Sequence, residues 1–185
     1  MSKIAYFLGF LFTKVERGIR YCKKKYQLGG IEHGTGCYLG DDCTITPNRV
    51  KIGKDVSIGK NCCFQSTHGR IEIGDHVMFG PGVHIHGGNH KQNELGRYMK
   101  DASPKEAYED GIVKIGSDCW IGANAIILKG VEIGEGSIVG AGAVVTHSIP
   151  PYSIYVGVNA PQVRSRFTEE EIKEHVRLLR ERYGA

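Results

Sequence analysis

The residue with the most suggestive chemistry is a histidine at the point where a regular sequence pattern breaks. It is His90, in the segment His84-Ile-His-Gly-Gly-Asn-His90. Imidazole is the side chain that exchanges protons near neutral pH. The paired glycines let the chain leave a regular wall, so we expect His90 at the foot of the long polar segment that follows. A lone histidine is more often a plain surface residue, but this position favours a functional one.

The regular pattern is a period of six, clearest from Ile115 to Ile149. An aliphatic residue heads each unit, at Ile115, Ile121, Ile127, Ile133, Val139 and Val145. A small or apolar residue follows four positions later, at Cys119, Ala125, Val131, Ser137, Ala143 and Ile149. Neither a helix nor an alternating strand has this period, whereas a three-sided coil of short parallel strands does. The sequence therefore predicts an all-β chain, a parallel β-helix with its aliphatic residues stacked inside.

This β-helix is predicted to occupy residues 29–160, with a less regular beginning near Leu39. The pattern stops over residues 91–113, a polar segment with Tyr98 and Tyr108 but no repeat of its own. Structureless loops of this length are uncommon in compact domains and are usually functional or disordered. We therefore predict a loop extruded from the coil that shapes a ligand pocket.

Residues 1–28 are predicted to form a separate helical segment, in which the apolar stretch Ile4 to Phe12 precedes several basic residues. The stretch is too short to span a bilayer, and no small-residue cleavage signal follows it. Two interpretations stay open. The helix lies on an anionic membrane face, as a weak surface association, or it caps the first coil or packs on a neighbouring subunit.

Residues 161–185 carry the start signal of a second helix. Thr168 is a good N-cap and Glu171 stands three positions later, which is the capping-box pattern. Apolar residues from Ile172 to Leu179 then fall on one stripe. The sequence predicts a short C-terminal α-helix that lies against the coil or a neighbour.

The composition limits the kinds of partner that this chain is expected to bind. A chain of 185 residues is expected to be one domain, and its net charge of +4 leans only weakly towards anionic partners such as a nucleotide-bearing cofactor. We predict no nucleic-acid partner. The six cysteines form no CxxC pair, which favours reduced thiols in a cytosolic protein over disulfides or metal.

Six segments carry a resemblance to a known family, namely Ile73–Val83, Gly88–His90, Gly96–Met99, Ile115–Asn124, Val139–Val145 and Ile149–Tyr152. They resemble the hexapeptide-repeat acyltransferases, in particular the sugar and polysaccharide O-acetyltransferases with the galactoside, maltose and streptogramin enzymes. The resemblance implies a left-handed β-helix, acetyl-CoA as co-substrate and a sugar or cell-surface polysaccharide precursor as acceptor. It also implies a cytoplasmic homotrimer with active sites between subunits and no metal. Residues 1–38 lie outside it.

The resemblance further implies roles for single residues. His90 matches a general base for the acceptor hydroxyl, a role that can raise a rate by about 10²–10⁴-fold. Residues implied at the acetyl-CoA site are Trp120, Ala123, Ala141, Thr146, His147 and Arg164, with the Ala123 N–H supporting the thioester oxyanion. The candidates on the acceptor side are Gln65, His68, Asn89 and Tyr98. His147 and Arg164 stand where the family pattern is not matched, and Arg166 is an alternative phosphate contact. Trp120 could equally be a packing residue.

Other functions stay open. Four histidines, His68, His84, His86 and His90, invite comparison with the gamma-type carbonic anhydrases, which share the coil and bind zinc. That resemblance implies a His-x4-His pair, which this sequence lacks, so no metal site is predicted. A non-enzymatic scaffold, N-acetylation of an amino sugar and acetylation of an antibiotic remain as alternatives.

Overall fold

The computed structural model describes residues 3–91, 93–102, 110–158 and 162–184. Within them, helix α1 (Lys3–Gly29) leads into a series of short strands, and helix α2 (Glu169–Tyr183) ends the chain. Part of the predicted loop, including Tyr108, lies outside the described residues, as does the predicted end of the coil at residue 160. No described helix combines the length and the apolar character needed to cross a bilayer.

The strands form three sheets. The first sheet contains β1 (Glu32–His33), β4 (Val50–Ile52), β7 (Ile71–Ile73), β10 (Val113–Ile115) and β13 (Glu132–Ile133). The second contains β2 (Tyr38–Leu39), β5 (Ser57–Ile58), β8 (Met78–Phe79), β11 (Trp120–Ile121), β14 (Ile138–Val139), β16 (Ser153–Val156) and β17 (Gln162–Ser165). The third contains β3 (Thr44–Ile45), β6 (Cys63–Gln65), β9 (His84–His86), β12 (Ile126–Ile127) and β15 (Val144–Val145).

Successive strands visit the three sheets in turn, so each coil has three sides. Neighbouring strands are parallel, as in the β10–β13 pair that sets Ile115 beside Ile133, and the antiparallel β17 is the exception. The prediction of a parallel β-helix is confirmed, and the parallel sheets fit the left-handed form.

The core is the stack of residues that the six-residue pattern marked. The residues that head the repeats, such as Ile121 and Val139, are buried, and so are the small residues four positions later. Cys119 is one of these, and its thiol donates to the Gly134 carbonyl at 3.2 Å. Burial raises the pKa of the Cys119 thiol to about 11. This cysteine is therefore a neutral core residue rather than a reactive thiol.

The coil begins and restarts earlier than the repeat pattern indicates. β1 is already a side of the first coil, although the regular pattern starts only near Leu39, because His33 stands where the next coil has Ile52. After the long segment, β10 begins at Val113, which is buried and pairs with Ile71. The predicted loop therefore overlaps the coil at its last residue, since the repeat pattern records only Ile115 of that strand.

Helix α2 packs on the coil through an ion pair and aromatic rings. The predicted capping box is present, with the Glu171 N–H donating to Thr168 Oγ1 and the Thr168 N–H donating to the Glu171 carboxylate. Just before the helix, Arg166 donates to the Asp118 carboxylate at 3.0 Å and to the Gly136 carbonyl at 2.8 Å. The His175 ring lies against Tyr152 at 6.1 Å between centroids. These contacts hold α2 beside the start of β11.

Candidate active site

A cleft of about 650 Å³ lies where the chain leaves β9. Asn89, His90 and Lys91 line it directly after the strand, and Met99 and Lys100 of the following segment line it as well. The Asn89 and His90 side chains are exposed. The volume is that of a small-molecule pocket. The structure thus puts the predicted functional histidine at the border of a cavity that could hold a ligand.

The third sheet supplies a row of equivalent positions to this cleft. Gln65 pairs with His86 across β6 and β9, and Leu128 follows β12 in the next coil. All three line the cleft. The Leu128 N–H donates to the Val145 carbonyl at 3.0 Å, which brings Thr146 next in the row. We call the row of Gln65, His86, Leu128 and Thr146 the loop edge.

The loop edge offers hydrogen-bonding groups rather than fixed charges. Burial, and secondarily the neighbouring His84, lower the pKa of the His86 imidazole, so this ring is neutral at pH 7 and can either donate or accept. At the far end of the row, Thr146 Oγ1 shares a hydrogen bond with His147 Nδ1 at 2.8 Å. Thr146 and His147, predicted to contact the cofactor, therefore continue the edge that begins at the cleft.

One polar group in the cleft was missed by the sequence analysis. The Ser66 side chain is 6% exposed, and among the described residues its hydroxyl has no hydrogen-bond partner. A Cβ at Gly87 would collide with Ser66 Oγ, so glycine is needed where the chain leaves β9. Buried hydroxyls normally have partners. Ser66 is therefore a second candidate for contact with a ligand, and no sequence motif signals it.

The base of the segment after His90 is tied to the coil by Asp110. The Asp110 carboxylate accepts a hydrogen bond from the backbone N–H of His68 at 3.1 Å. A Cβ at Gly88 would collide with the same carboxylate. Gly88 and Asp110, from the two ends of the segment, therefore meet beside His68. In the described part of the chain, the residues lining the cleft include Gln65 and Asn89 but not His68.

A second group of predicted site residues lies at the corner between the second and third sheets. Ala123 and Ala141 occupy this corner in successive coils, where a Cβ at Gly122 would lie 2.5 Å from the Ala141 nitrogen. Trp120 precedes them on the second sheet, where it pairs with Met78 and is 51% exposed. Its side chain faces outward. We call the group of Trp120, Ala123 and Ala141 the corner edge.

One full side of the coil separates the two edges within a single chain. Ala123 stands before β12 and Leu128 stands after it, so the whole strand lies between them. No corner-edge residue is among the described residues that line the cleft. A single chain therefore does not gather all predicted site residues around one point.

Two further predicted residues lie apart from the cleft. Tyr98 is 83% exposed and lines a separate surface depression with Gly96, Arg97 and Asp101. Arg164 is exposed on β17, whereas Arg166 is engaged by Asp118. Of the two arginines weighed for the phosphate contact, Arg164 is the exposed one.

No group of three or more His, Cys, Asp or Glu side chains among the described residues is arranged to hold a metal ion.

Comparisons with known proteins agree with the repeat and the fold. Residues 112–147 match the family model of the bacterial transferase hexapeptide (six repeats), and residues 49–85 match that of the hexapeptide repeat of succinyl-transferase. A chloramphenicol acetyltransferase of Escherichia coli is 32% identical over 156 residues, which cover 79% of this chain and 70% of that protein.

Two solved structures share the fold. A maltose O-acetyltransferase from Clostridium difficile 630 superposes with a TM-score of 0.64 at 27% identity, covering 79% of this chain and 75% of that one. A hexapeptide-repeat acetyltransferase from Vibrio cholerae O1 biovar eltor, in complex with acetyl-CoA, superposes with a TM-score of 0.67 at 26% identity, covering 78% of each chain.

The repeat, the coil and these similarities define a β-helix of hexapeptide repeats. The chain belongs to the hexapeptide-repeat acetyltransferase family. It spans only about half the length of several other curated relatives that it matches, between 46% and 54%.

Proposed function

We propose that this protein transfers an acetyl group from acetyl-CoA to a hydroxyl of a sugar or of a cell-surface polysaccharide precursor. The observation that carries the proposal is His90 at the border of a cleft lined by Gln65, Ser66, His86 and Asn89. These side chains offer the mixed donors and acceptors that a polyhydroxylated ligand needs. Relatives in the family are acetyltransferases by name, and one solved neighbour is a maltose O-acetyltransferase.

In the proposed reaction His90 accepts the proton of the acceptor hydroxyl while that oxygen attacks the thioester carbonyl carbon. The carbonyl oxygen becomes an oxyanion that the Ala123 N–H stabilises. The carbon–sulfur bond then breaks, and the departing sulfur takes the proton from the imidazolium. An acetyl ester and CoA result, without an acyl-enzyme or a metal. Ala123 is suited to a fixed donor, since its carbonyl accepts from the Gly142 N–H at 2.8 Å and so holds the backbone in place.

The acetyl-CoA molecule would lie along the coil. We propose that its pantetheine arm runs past Trp120, the small Ala141 and Thr146, while His147 and Arg164 contact the nucleotide end. Trp120 offers an exposed aromatic surface for this purpose. A solved neighbour binds acetyl-CoA, which supports the choice of co-substrate.

We further propose a homotrimer whose sites form between copies. The argument is the separation of the loop edge from the corner edge. The acceptor oxygen that the base deprotonates must attack the same thioester carbonyl that the oxyanion donor stabilises, but a side of the coil divides the two groups within one chain. A three-fold assembly sets the corner edge of one copy against the loop edge of the next. Because the six cysteines are free thiols, we also propose a reducing, cytoplasmic location.

A second acceptor class is favoured by one comparison. The chloramphenicol acetyltransferase that shares 32% identity with this chain supports an antibiotic hydroxyl as the alternative. The amine of an amino sugar is a third possibility, since only the acceptor atom would change.

The test follows the loss of acetyl-CoA thioester absorbance with neutral sugars, amino sugars and chloramphenicol, because the six protein cysteines would confuse a thiol reagent. A loss of thioester absorbance that depends on the acceptor and disappears in His90→Ala supports the proposal. The acceptor that causes this loss identifies the class of substrate. If no acceptor causes loss and acetyl-CoA does not bind, the proposal is wrong and a scaffold role takes its place.

A further inference from the structure

The N-terminal helix carries an apolar stripe that its own chain leaves open. Leu8, Leu11, Phe12, Val15 and Ile19 follow the spacing of one helix face, and we call them the apolar stripe. Their exposed fractions lie between 49% and 66%. At the other end of α1, Leu28 is half-buried against the coil core, so the helix is joined to the coil there. The exposure of the stripe argues against packing on the coil of the same chain.

The charge of the protein is concentrated on this helix. Residues 3–29 contain seven Lys and Arg but one Glu, a net charge of +6. The whole chain carries +4, so the rest of the molecule carries −2. Each basic residue close to an anionic lipid surface contributes about 1 kcal/mol to binding. The rest of the chain, with its net charge of −2, adds no net attraction to an anionic surface.

We propose that α1 lies on an anionic lipid bilayer with the apolar stripe in the headgroup region. A strongly amphipathic helix of this length, with Phe and Leu on one face and Lys and Arg elsewhere, is the usual interfacial anchor. The charge argues against packing of α1 on α1 of a second copy, since that would bring two helices of +6 charge together. The lipid surface instead neutralises them. The inference does not depend on the acetyl-transfer chemistry.

The test uses the full chain and vesicles of phosphatidylcholine, with or without phosphatidylglycerol, in a co-sedimentation assay. We expect binding to the anionic vesicles, weak binding to the neutral ones, and loss of binding when salt is raised to about 1 M, where the Debye length falls to about 3 Å. Equal binding to both vesicles, or none at low salt, overturns the proposal.

Two phenylalanines of α1 give a matched pair of variants. Phe12→Ser removes a ring from the apolar stripe, and Phe10→Ser removes a ring outside it, both from exposed positions. We expect Phe12→Ser to weaken binding about tenfold, as the loss of a partly buried aromatic predicts, and Phe10→Ser to change it far less. Sedimentation of the wild type and both variants without vesicles measures their oligomer size and is the control for self-association. If Phe12→Ser changes the oligomer size while vesicle binding persists, the stripe contacts a second copy and the proposal fails.

Discussion

The loop edge and the corner edge flank the same side of the coil but are built differently. The loop edge ends in a cleft lined by His90, His86 and Ser66, whose hydroxyl has no hydrogen-bond partner among the described residues. The corner edge is made of residues whose side chains are small or exposed, and Ala123 would act through its backbone. In the proposed trimer, each chain carries one half of each of two sites, and each half can be changed without disturbing the other.

Removal of the proposed base should have the largest effect. We expect His90→Ala to lower kcat by about 10²–10⁴-fold, because the acceptor hydroxyl loses its proton acceptor, while the Kd of acetyl-CoA changes little. Turnover and cofactor titration measure the two quantities. His33→Ala, an exposed histidine on the first coil, is the control. Near-normal turnover in His90→Ala would remove this residue from the mechanism.

The corner edge can be tested through its backbone alone. Pro81 holds the corner position equivalent to Ala123 in the previous coil, since the Gly80 corner stacks directly on the Ala123 nitrogen. The coil therefore accepts proline there. Ala123→Pro removes the N–H and should lower kcat by about 10²–10³-fold, with folding retained by circular dichroism. Ala123→Gly, which keeps the N–H, should stay near wild type, and equal losses in both variants would contradict the oxyanion role.

Mixing the two variants tests whether the edges meet across copies. His90→Ala supplies an intact corner edge and Ala123→Pro an intact loop edge. Subunits exchanged after mild unfolding and refolding should regain about a quarter of the wild-type activity, the share of interfaces in which both intact edges meet. No recovery, despite subunit exchange shown by mass spectrometry of the intact assembly, would place both edges of a site in one chain.

Trp120 should affect binding more than chemistry. Trp120→Ala removes the aromatic surface proposed for the pantetheine arm, and we expect the Kd of acetyl-CoA to rise about tenfold, in the range of a buried aromatic contact. Met78, its neighbour one coil earlier and equally exposed, is the matched position for Met78→Ala. An unchanged Kd in Trp120→Ala would leave this residue as packing.

Replacement of Ser66 should have the smallest effect on activity, and the direction of the change in Tm tells whether its hydroxyl is structural. If its hydroxyl contacts the acceptor, Ser66→Ala raises the acceptor KM by about 2–10-fold, the worth of one hydrogen bond. Because the hydroxyl is buried and finds no partner in the described part of the chain, its removal should leave Tm unchanged or raise it. A lower Tm with unchanged KM would show that Ser66 is structural.

The coil could be predicted well from the sequence because the residues that recur every six positions are the ones whose side chains are buried. Ile121, Cys119 and Ser137 lie inside as the repeat indicated, and the capping box of α2 follows from Thr168 and Glu171. The repeat pattern did not predict where β1 and β10 begin. His33 stands at a position where the next coil has an aliphatic residue, and Val113 is not one of the residues that recur every six positions.

For the site, the sequence marked His90 through the break in the repeat, and the corner alanines only through the family resemblance. Ser66 and the neutral His86 depend on packing between coils that are far apart in sequence, which a linear pattern does not record.

The antiparallel β17 determines how this architecture can change in length. It pairs with β16 along all four of its residues, so the second sheet ends in a strand that runs against all the others. The interval from Ile115 to its partner Ile133 is one full turn, and duplication of that turn adds a coil without altering the strands at either end. Duplication that included β17 would instead set a reversed strand inside a parallel sheet. Growth by gene duplication is thus confined to the region before β16, and β17 acts as a terminator of the coil.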